Sequence, residues 1–259
     1  MIDLSFSLYD LEFFLLILVR VSCFMFVAPF FSMAHTPARI RIGLSLLISI
    51  MVYQMLPSNT VEYSTVFMFA VIVIKEALTG LLIGYAAAIC VSVVNFAGSI
   101  VDMDMGFSMV SMFDPITKDN VTISGVYYQY VLLMLLMISG LYQYILSALV
   151  ETFSLIPING AVFKSENMLS AMGTFFVDYI SIGFRLALPV FCGILLLNAI
   201  LGILARISPQ LNMFAVGIQL KVLTGLGILF ITVSILPGAS TLILDEIKKM
   251  VTVFAEAIQ

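Results

Sequence analysis

Nearly everything a catalytic centre is built from is scarce in this sequence. A single histidine, His35, stands among 259 residues. No His/Cys/Asp cluster at ligand spacing, no GxSxG elbow and no phosphate-loop pattern accompanies it. Metal and nucleophile chemistry lack their residues, so the expectation is a protein that is not an enzyme and uses no cofactor. His35 lies between Ala34 and Thr36 in a turn before Pro37, a place for a solvated or capping imidazole. Cys23, Cys90 and Cys192 each sit in an apolar run at unrelated spacings, which fits small buried hydrophobes and neither a disulfide framework nor a metal cluster. Charge is thin as well: only 10% of residues are Asp, Glu, Lys or Arg, and no dense basic block could neutralise a row of phosphates, which excludes nucleic acid as a partner. The N-terminus carries Asp3, Asp10 and Glu12 where a cleaved leader would be basic, so the first apolar run is expected to be retained and to insert the chain. No repeat or low-complexity linker interrupts the pattern.

What the chain does have is apolar surface. At 62% hydrophobic it exceeds what a water-soluble monomer can hide, so lipid, partner subunits or both must cover the excess. Apolar runs cover Phe13 to Phe31, Ile42 to Leu56, Val66 to Val101, Val126 to Ile158, Met172 to Leu204 and Phe214 to Leu236. These predict six helical elements of an all-α, polytopic membrane protein. Since about 20 apolar residues cross a bilayer, the second run is short and the third to fifth are longer than a span needs. Arg39 and Arg41 follow the first run and Arg206 the fifth, which puts both loops in the cytoplasm and the N-terminus outside, although Lys248 and Lys249 then disagree. From Leu242 onward Ile243, Ile247, Met250, Val251, Phe254 and Ile258 recur at helical spacing among charged residues. That is an amphipathic helix, expected to lie on the membrane interface or on a neighbouring subunit.

Three features within the runs bear on function. Arg20, the adjacent Lys75 and Glu76, Asp178 and Arg185 are charges inside apolar segments. A charge at the bilayer centre costs about 2.5 to 3.5 kcal/mol on insertion scales, so these are expected to be buried against a helix, a subunit or an aqueous cavity, or to snorkel. Gly80, Gly84, Ala88 and Ser92 repeat every fourth residue, a small-residue strip that lets helix backbones approach closely. The stretch Asp102 to Pro115 joins the helix breakers Gly106 and Pro115 to four methionines and two phenylalanines. Irregular backbone at membrane depth is tolerated where protein buries it or it lines a cavity. Pliant thioethers can close a hole without holding one substrate tightly. A plug is one reading of this stretch and plain core packing the other.

At these residues the chain resembles the FliR family of flagellar export-gate proteins, whose counterpart in virulence secretion systems is the T subunit. The resemblance covers essentially the whole chain and is carried by KEALTGLLIGY at Lys75 to Tyr85, GSIVDMDMGFSMVSMFDP at Gly98 to Pro115 and SPQLNMFAVGIQLKVLTGL at Ser208 to Leu226. It implies a subunit of the type III export gate at the flagellar basal body in the bacterial inner membrane. FliP and FliQ would be its co-subunits, FlhB and FlhA further partners, and unfolded flagellar proteins the transient cargo. It further implies a FliP-like region over 1–170, with a Met-rich plug loop at 102–120, and a FliQ-like hairpin with a terminal helix over 171–259. Met105, Phe107, Met109, Met112 and Phe113 fall in the segment that plugs the closed pore in this family. Arg206, Pro209 and Gln210 fall on the cytoplasmic turn of the hairpin, near where FlhB wraps the entrance. The competing class is a secondary transporter for a small solute, motivated by Arg20, Asp178 and Arg185. Such proteins pair broken helices in matched repeats, and one interrupted region stands here without a counterpart.

Overall fold

The computed structural model describes residues 8–32, 36–56, 63–107, 112–113, 120–208 and 213–258. Among them the chain is all-helical apart from one two-residue ladder. The helices are α1 Leu8–Val27, α2 Ala38–Met55, α3 Val66–Met105, α4 Ile123–Ile138, α5 Leu141–Leu155, α6 Ser165–Ile207, α7 Met213–Thr232 and α8 Leu236–Ala257. Four stretches are long and apolar enough to cross a membrane: α2, α3, α6 and the continuous run Val216–Ala257. The α4–α5 pair makes a fifth if it counts as one bent span. At 1.5 Å per residue α3 and α6 reach about 60 and 65 Å, roughly twice the hydrocarbon thickness.

The expected fourth element is two helices. Val126 to Ile158 breaks at Ser139 and Gly140, where α4 ends and α5 begins. Gly140 has φ +79, the left-handed region that ends helices at little cost only when no side chain is present. Its carbonyl then accepts from the amides of Gln143 and Tyr144, which starts α5. Hydropathy is continuous across this point, so the break is legible only in the Ser-Gly pair. The terminal amphipathic helix also differs. It begins at Leu236, joined to α7 by a 3-10 turn over Val233–Ile235.

Packing divides the chain into two compact units. The first holds 1–91, 140–175 and 246–259, and the second holds 92–139 and 176–245. This division cuts across α3, α6 and α8, so it follows contact and not the sequence boundary near residue 170.

In the first unit, α1 and α2 lie along each other, with Tyr53 of α2 against the rings of Phe13 and Phe14 at 6.2 and 6.0 Å. The end of α8 closes on the segment after α5. Ala255 and Ile258 cluster with Ile156 and Ala161, and the Val162 amide donates to the Ile258 carbonyl at 2.8 Å. The stripe Ile247, Met250, Val251, Phe254 and Ile258 is buried inside the chain itself. This corrects the expectation of a helix whose apolar face rests on the interface or on another subunit: the face is buried within the chain, and at its end Ala255 and Ile258 are covered by the segment after α5. Before α3, the Tyr63 hydroxyl donates to Glu12 Oε1 at 2.6 Å. That hydrogen bond, with burial behind it, holds the Tyr63 phenol above its usual value.

In the second unit, Phe96 of α3 meets Tyr179 and Phe184 of α6 at 5.5 and 6.2 Å. Its ring lies where a side chain at Gly183 would stand. The hairpin of α6 and α7 pairs Gly193 with Ile228 and Gly217 with Leu201, partners whose order along the chain is antiparallel.

Candidate functional site

The stretch that breaks α3 is the candidate site. Helix α3 ends at Met105, and Gly106 takes φ +85. A β-carbon there would meet nothing within 4 Å, so backbone conformation and not crowding selects glycine at this point. Beyond Phe107 the described backbone is a two-strand antiparallel ladder. Strand β1, Met112–Phe113, pairs antiparallel with β2, Asn120–Val121, with Met112 opposite Val121 and Phe113 opposite Asn120. Helix α4 starts at Ile123, two residues after β2 ends at Val121. Of the five residues assigned to the plug, Met109 lies outside the described residues, and for Met112 and Phe113 it is the backbone pairing that is described. Phe107 is half-buried. Met105 is fully buried against α7, its sulfur occupying the space a side chain at Gly225 would need. In this chain Met105 anchors the end of α3, and the hairpin itself begins beyond it.

The base of the hairpin is held by Asp102, which lies 2% exposed on the last turn of α3. Both its carboxylate oxygens accept from the Ser124 amide, at 3.1 and 3.3 Å. Thr122, at the start of α4, makes no side-chain cap of its own. The buried Ser124 hydroxyl has no partner among the described residues. Asp102 therefore serves as the N-terminal cap of α4 from another helix, satisfying an amide the helix cannot satisfy internally and placing negative charge at its positive end. One turn earlier Gly98 meets Gly125 so closely that a side-chain carbon at Gly98 would overlap the Gly125 backbone. The sequence reading passed over this pairing. Its signal was Gly98 and Asp102 one turn apart on α3, with a Ser-Gly pair opening the next helix.

The charges in apolar runs separate by environment. Arg20 and Glu76 are both buried and form an ion pair, Nε to Oε2 at 2.6 Å. Arg20 Nη1 donates to the Ile156 carbonyl at 2.9 Å and to that of Thr152 at 3.4 Å. Its guanidinium stands 4.5 Å from the centre of the Phe153 ring. The other Glu76 oxygen accepts from the Asn159 amide at 2.9 Å. One pair thus joins α1, α3 and the end of α5. Lys75 is not its partner, because consecutive helix residues point in different directions. Lys75 and Asp178 are half-buried and Arg185 is exposed, so three of the five expected buried charges are not buried in this chain. Arg185 lines a mostly apolar cavity of about 450 Å³ with Tyr128, Pro189, Thr232 and Leu236.

The small-residue strip finds its partner in α1. A β-carbon at Gly80 would meet the Arg20 carbonyl oxygen, and one at Gly84 would stand 2.9 Å from that of Phe24. Ala88 and Ser92 are half-buried farther along α3. Arg206 is exposed at the end of α6, while Pro209, Gln210 and His35 lie outside the described residues. Among the described residues no group of three His, Cys, Asp or Glu side chains could hold a metal ion.

Comparison with known proteins places this geometry. The flagellar biosynthetic protein FliR of Bacillus subtilis (strain 168) is 29% identical over 228 residues, 86% of each chain. That of Escherichia coli (strain K12) is 28% identical over 212 residues, 82% of this chain and 80% of its own. That of Aquifex aeolicus (strain VF5) is 28% identical over 220 residues, 84% and 83%. The family model described as bacterial export proteins, family 1, matches residues 11–247, from the first turn of α1 into α8, and with that match covering most of the sequence the chain belongs to this family of bacterial export proteins.

Proposed function

We propose that this chain is a structural subunit of the flagellar type III export gate in the bacterial inner membrane at the basal body. With FliP and FliQ it encloses the passage for unfolded flagellar proteins, while FlhB and FlhA act at its entrance. The likeness to proteins named for flagellar biosynthesis supports the flagellar setting. The α6–α7 hairpin supports kinship of 171–259 with FliQ, and the helices before it fit a FliP-like region over 1–170. The chain positions and seals; energy for transport comes from elsewhere.

The observation that carries the gating part is the hairpin after α3. It joins a glycine pivot to a short ladder in a segment rich in methionine and phenylalanine. Phe107, Met109, Met112 and Phe113 close the resting channel by apolar contact, and an entering polypeptide displaces them. Methionine suits the task because its unbranched, polarizable side chain moulds to differing shapes. Met105 fixes the start of the hairpin. The test is to shorten the loop between Phe107 and Asn120 in the co-assembled gate and to record ion flux across the membrane. Assembly is expected to persist while small ions leak; unchanged flux in an assembled complex overturns the plug. The transporter reading loses its main support in Arg20, whose charge is matched by Glu76 inside the chain.

A further inference from the structure

We propose that the cavity at Arg185 is a binding site for one anionic phospholipid of the surrounding membrane: the guanidinium takes the phosphate, and the apolar cavity beside it takes an acyl chain. The proposal uses the membrane placement of the chain and is independent of the plug.

The depth of Arg185 follows from the sequence of α6. From Leu186 to Ala205 the helix runs 20 residues without an Asp, Glu, Lys or Arg, and Arg185 and Arg206 stand at the two ends of that stretch. At 1.5 Å per residue it is about 30 Å long, the thickness of the hydrocarbon layer. Glu166 and Asp178 lie on the far side of Arg185 from it. The first half of α6 is therefore surplus to the crossing, and Arg185 marks the boundary, at the depth of lipid phosphates. An arginine there extends its head toward the phosphates and leaves its stem among the chains. Its planar fork matches phosphate oxygens two at a time. Arg185 is exposed, so a lipid can reach it.

The cavity supplies the other half of a lipid's chemistry. Ile182, Leu186 and Pro189 of α6 line it together with Leu236, Ala239 and Leu242 of α8, all within the second unit. Its volume of about 450 Å³ lies in the ~300–1,000 Å³ range of sites that enclose small, largely apolar molecules. Arg185, Ile235, Thr241 and Leu242 on its wall are exposed, so it opens at the protein surface. The hydroxyls on the wall are already engaged. Thr232 donates to the Leu229 carbonyl at 2.9 Å and Thr241 to that of Gly238 at 2.8 Å, and the Tyr128 hydroxyl is hydrogen-bonded to Thr232. Arg185 has no hydrogen bond or ion pair among the described residues. One cationic donor on an otherwise apolar cavity calls for a ligand that is anionic at one end and hydrocarbon at the other. Free phosphate has no use for the cavity. A carboxylate side chain from a neighbouring subunit cannot both pair with the arginine and fill that volume.

The experiment takes the full chain co-assembled with its partner subunits in detergent and titrates it with dioleoyl phosphatidylglycerol or, as the zwitterionic control, dioleoyl phosphatidylcholine. Lipids retained per complex are counted by native mass spectrometry. Wild type is expected to hold one phosphatidylglycerol that Arg185→Gln does not, its affinity falling about tenfold, while Arg185→Lys keeps part of the binding. Ala239→Leu, which narrows the cavity and leaves the charge in place, is expected to release the same lipid. Equal retention of the two lipids by wild type, or equal phosphatidylglycerol retention by wild type and Arg185→Gln, overturns the proposal. Unchanged retention by Ala239→Leu overturns it as well, since the acyl chain would then lie elsewhere. Displacement of the lipid by inorganic phosphate alone would make this a site for free anions, and failure of Arg185→Gln to assemble would make the residue a subunit contact. Either result removes the lipid site.

Discussion

Replacing Arg20 or Glu76 alone leaves the other charge where water does not reach it. Breaking a buried pair from one side costs about 3 to 5 kcal/mol, whereas replacing both partners by apolar groups of similar volume is often neutral. Arg20→Met and Glu76→Leu are each expected to lower the unfolding temperature of the detergent-solubilised complex strongly. The double variant is expected to recover most of that loss, short of what the Asn159 amide forfeits. A double variant no more stable than either single one would show that the pair is not the unit of stability. Tyr63 offers a milder test. Its phenol ionises above the usual value in the fold because Glu12 accepts its proton in a hydrogen bond. The native state thus holds this proton more tightly than the unfolded chain does. The stabilisation is complete below the unfolded value and fades as pH rises through the raised one. Tyr63→Phe should therefore flatten the alkaline limb of a stability–pH curve. At this scale the sequence marked Arg20 and Glu76 as anomalies but did not show that they meet. Adjacency in the chain says little about which side chains face each other on a helix.

At the scale of elements, close approach of backbones makes some glycines irreplaceable and leaves others optional. Gly80→Ala puts a methyl group into the Arg20 carbonyl of α1, which cannot swing aside as a side chain can. Overpacking of this kind typically costs about 1 to 3 kcal/mol. Gly43→Ala on exposed α2 meets nothing within 4 Å and should stabilise by roughly 0.5 to 1 kcal/mol through helix propensity. Thermal unfolding of the two variants should move in opposite directions; equal shifts would refute the α1–α3 contact. The fourfold spacing of Gly80 and Gly84 was readable as a packing strip, although its partner was not. The break at Gly140 stayed hidden because window hydropathy registers apolar content and not a single left-handed residue. The terminal helix showed its amphipathic face plainly, yet that face is buried within the same chain, its last residues Ala255 and Ile258 against the segment after α5, far away in sequence.

At the scale of the whole molecule, large side chains such as Phe67, Leu169 and Phe230 remain about three-quarters or more exposed. Lipid and neighbouring subunits are what can cover them. The chain produced by itself is expected to aggregate or be degraded, and to become stable when FliP and FliQ are co-produced. Size-exclusion chromatography in detergent with a pulse-chase in cells checks this. A monodisperse, long-lived lone chain would argue against an obligate gate subunit.

Composition and the lengths of the apolar runs determined that this is an all-helical membrane protein, because hydropathy is a sum along the chain that needs no partner. Helix breakers and methionines marked the segment after α3 as the place to look, and motif wording added the family. Only the tertiary structure decided that Arg20 meets Glu76, that α8 folds back on its own chain, and that Asp102 caps a helix it does not belong to. Each of those joins residues far apart in sequence, and such pairings depend on how helices turn relative to one another in three dimensions.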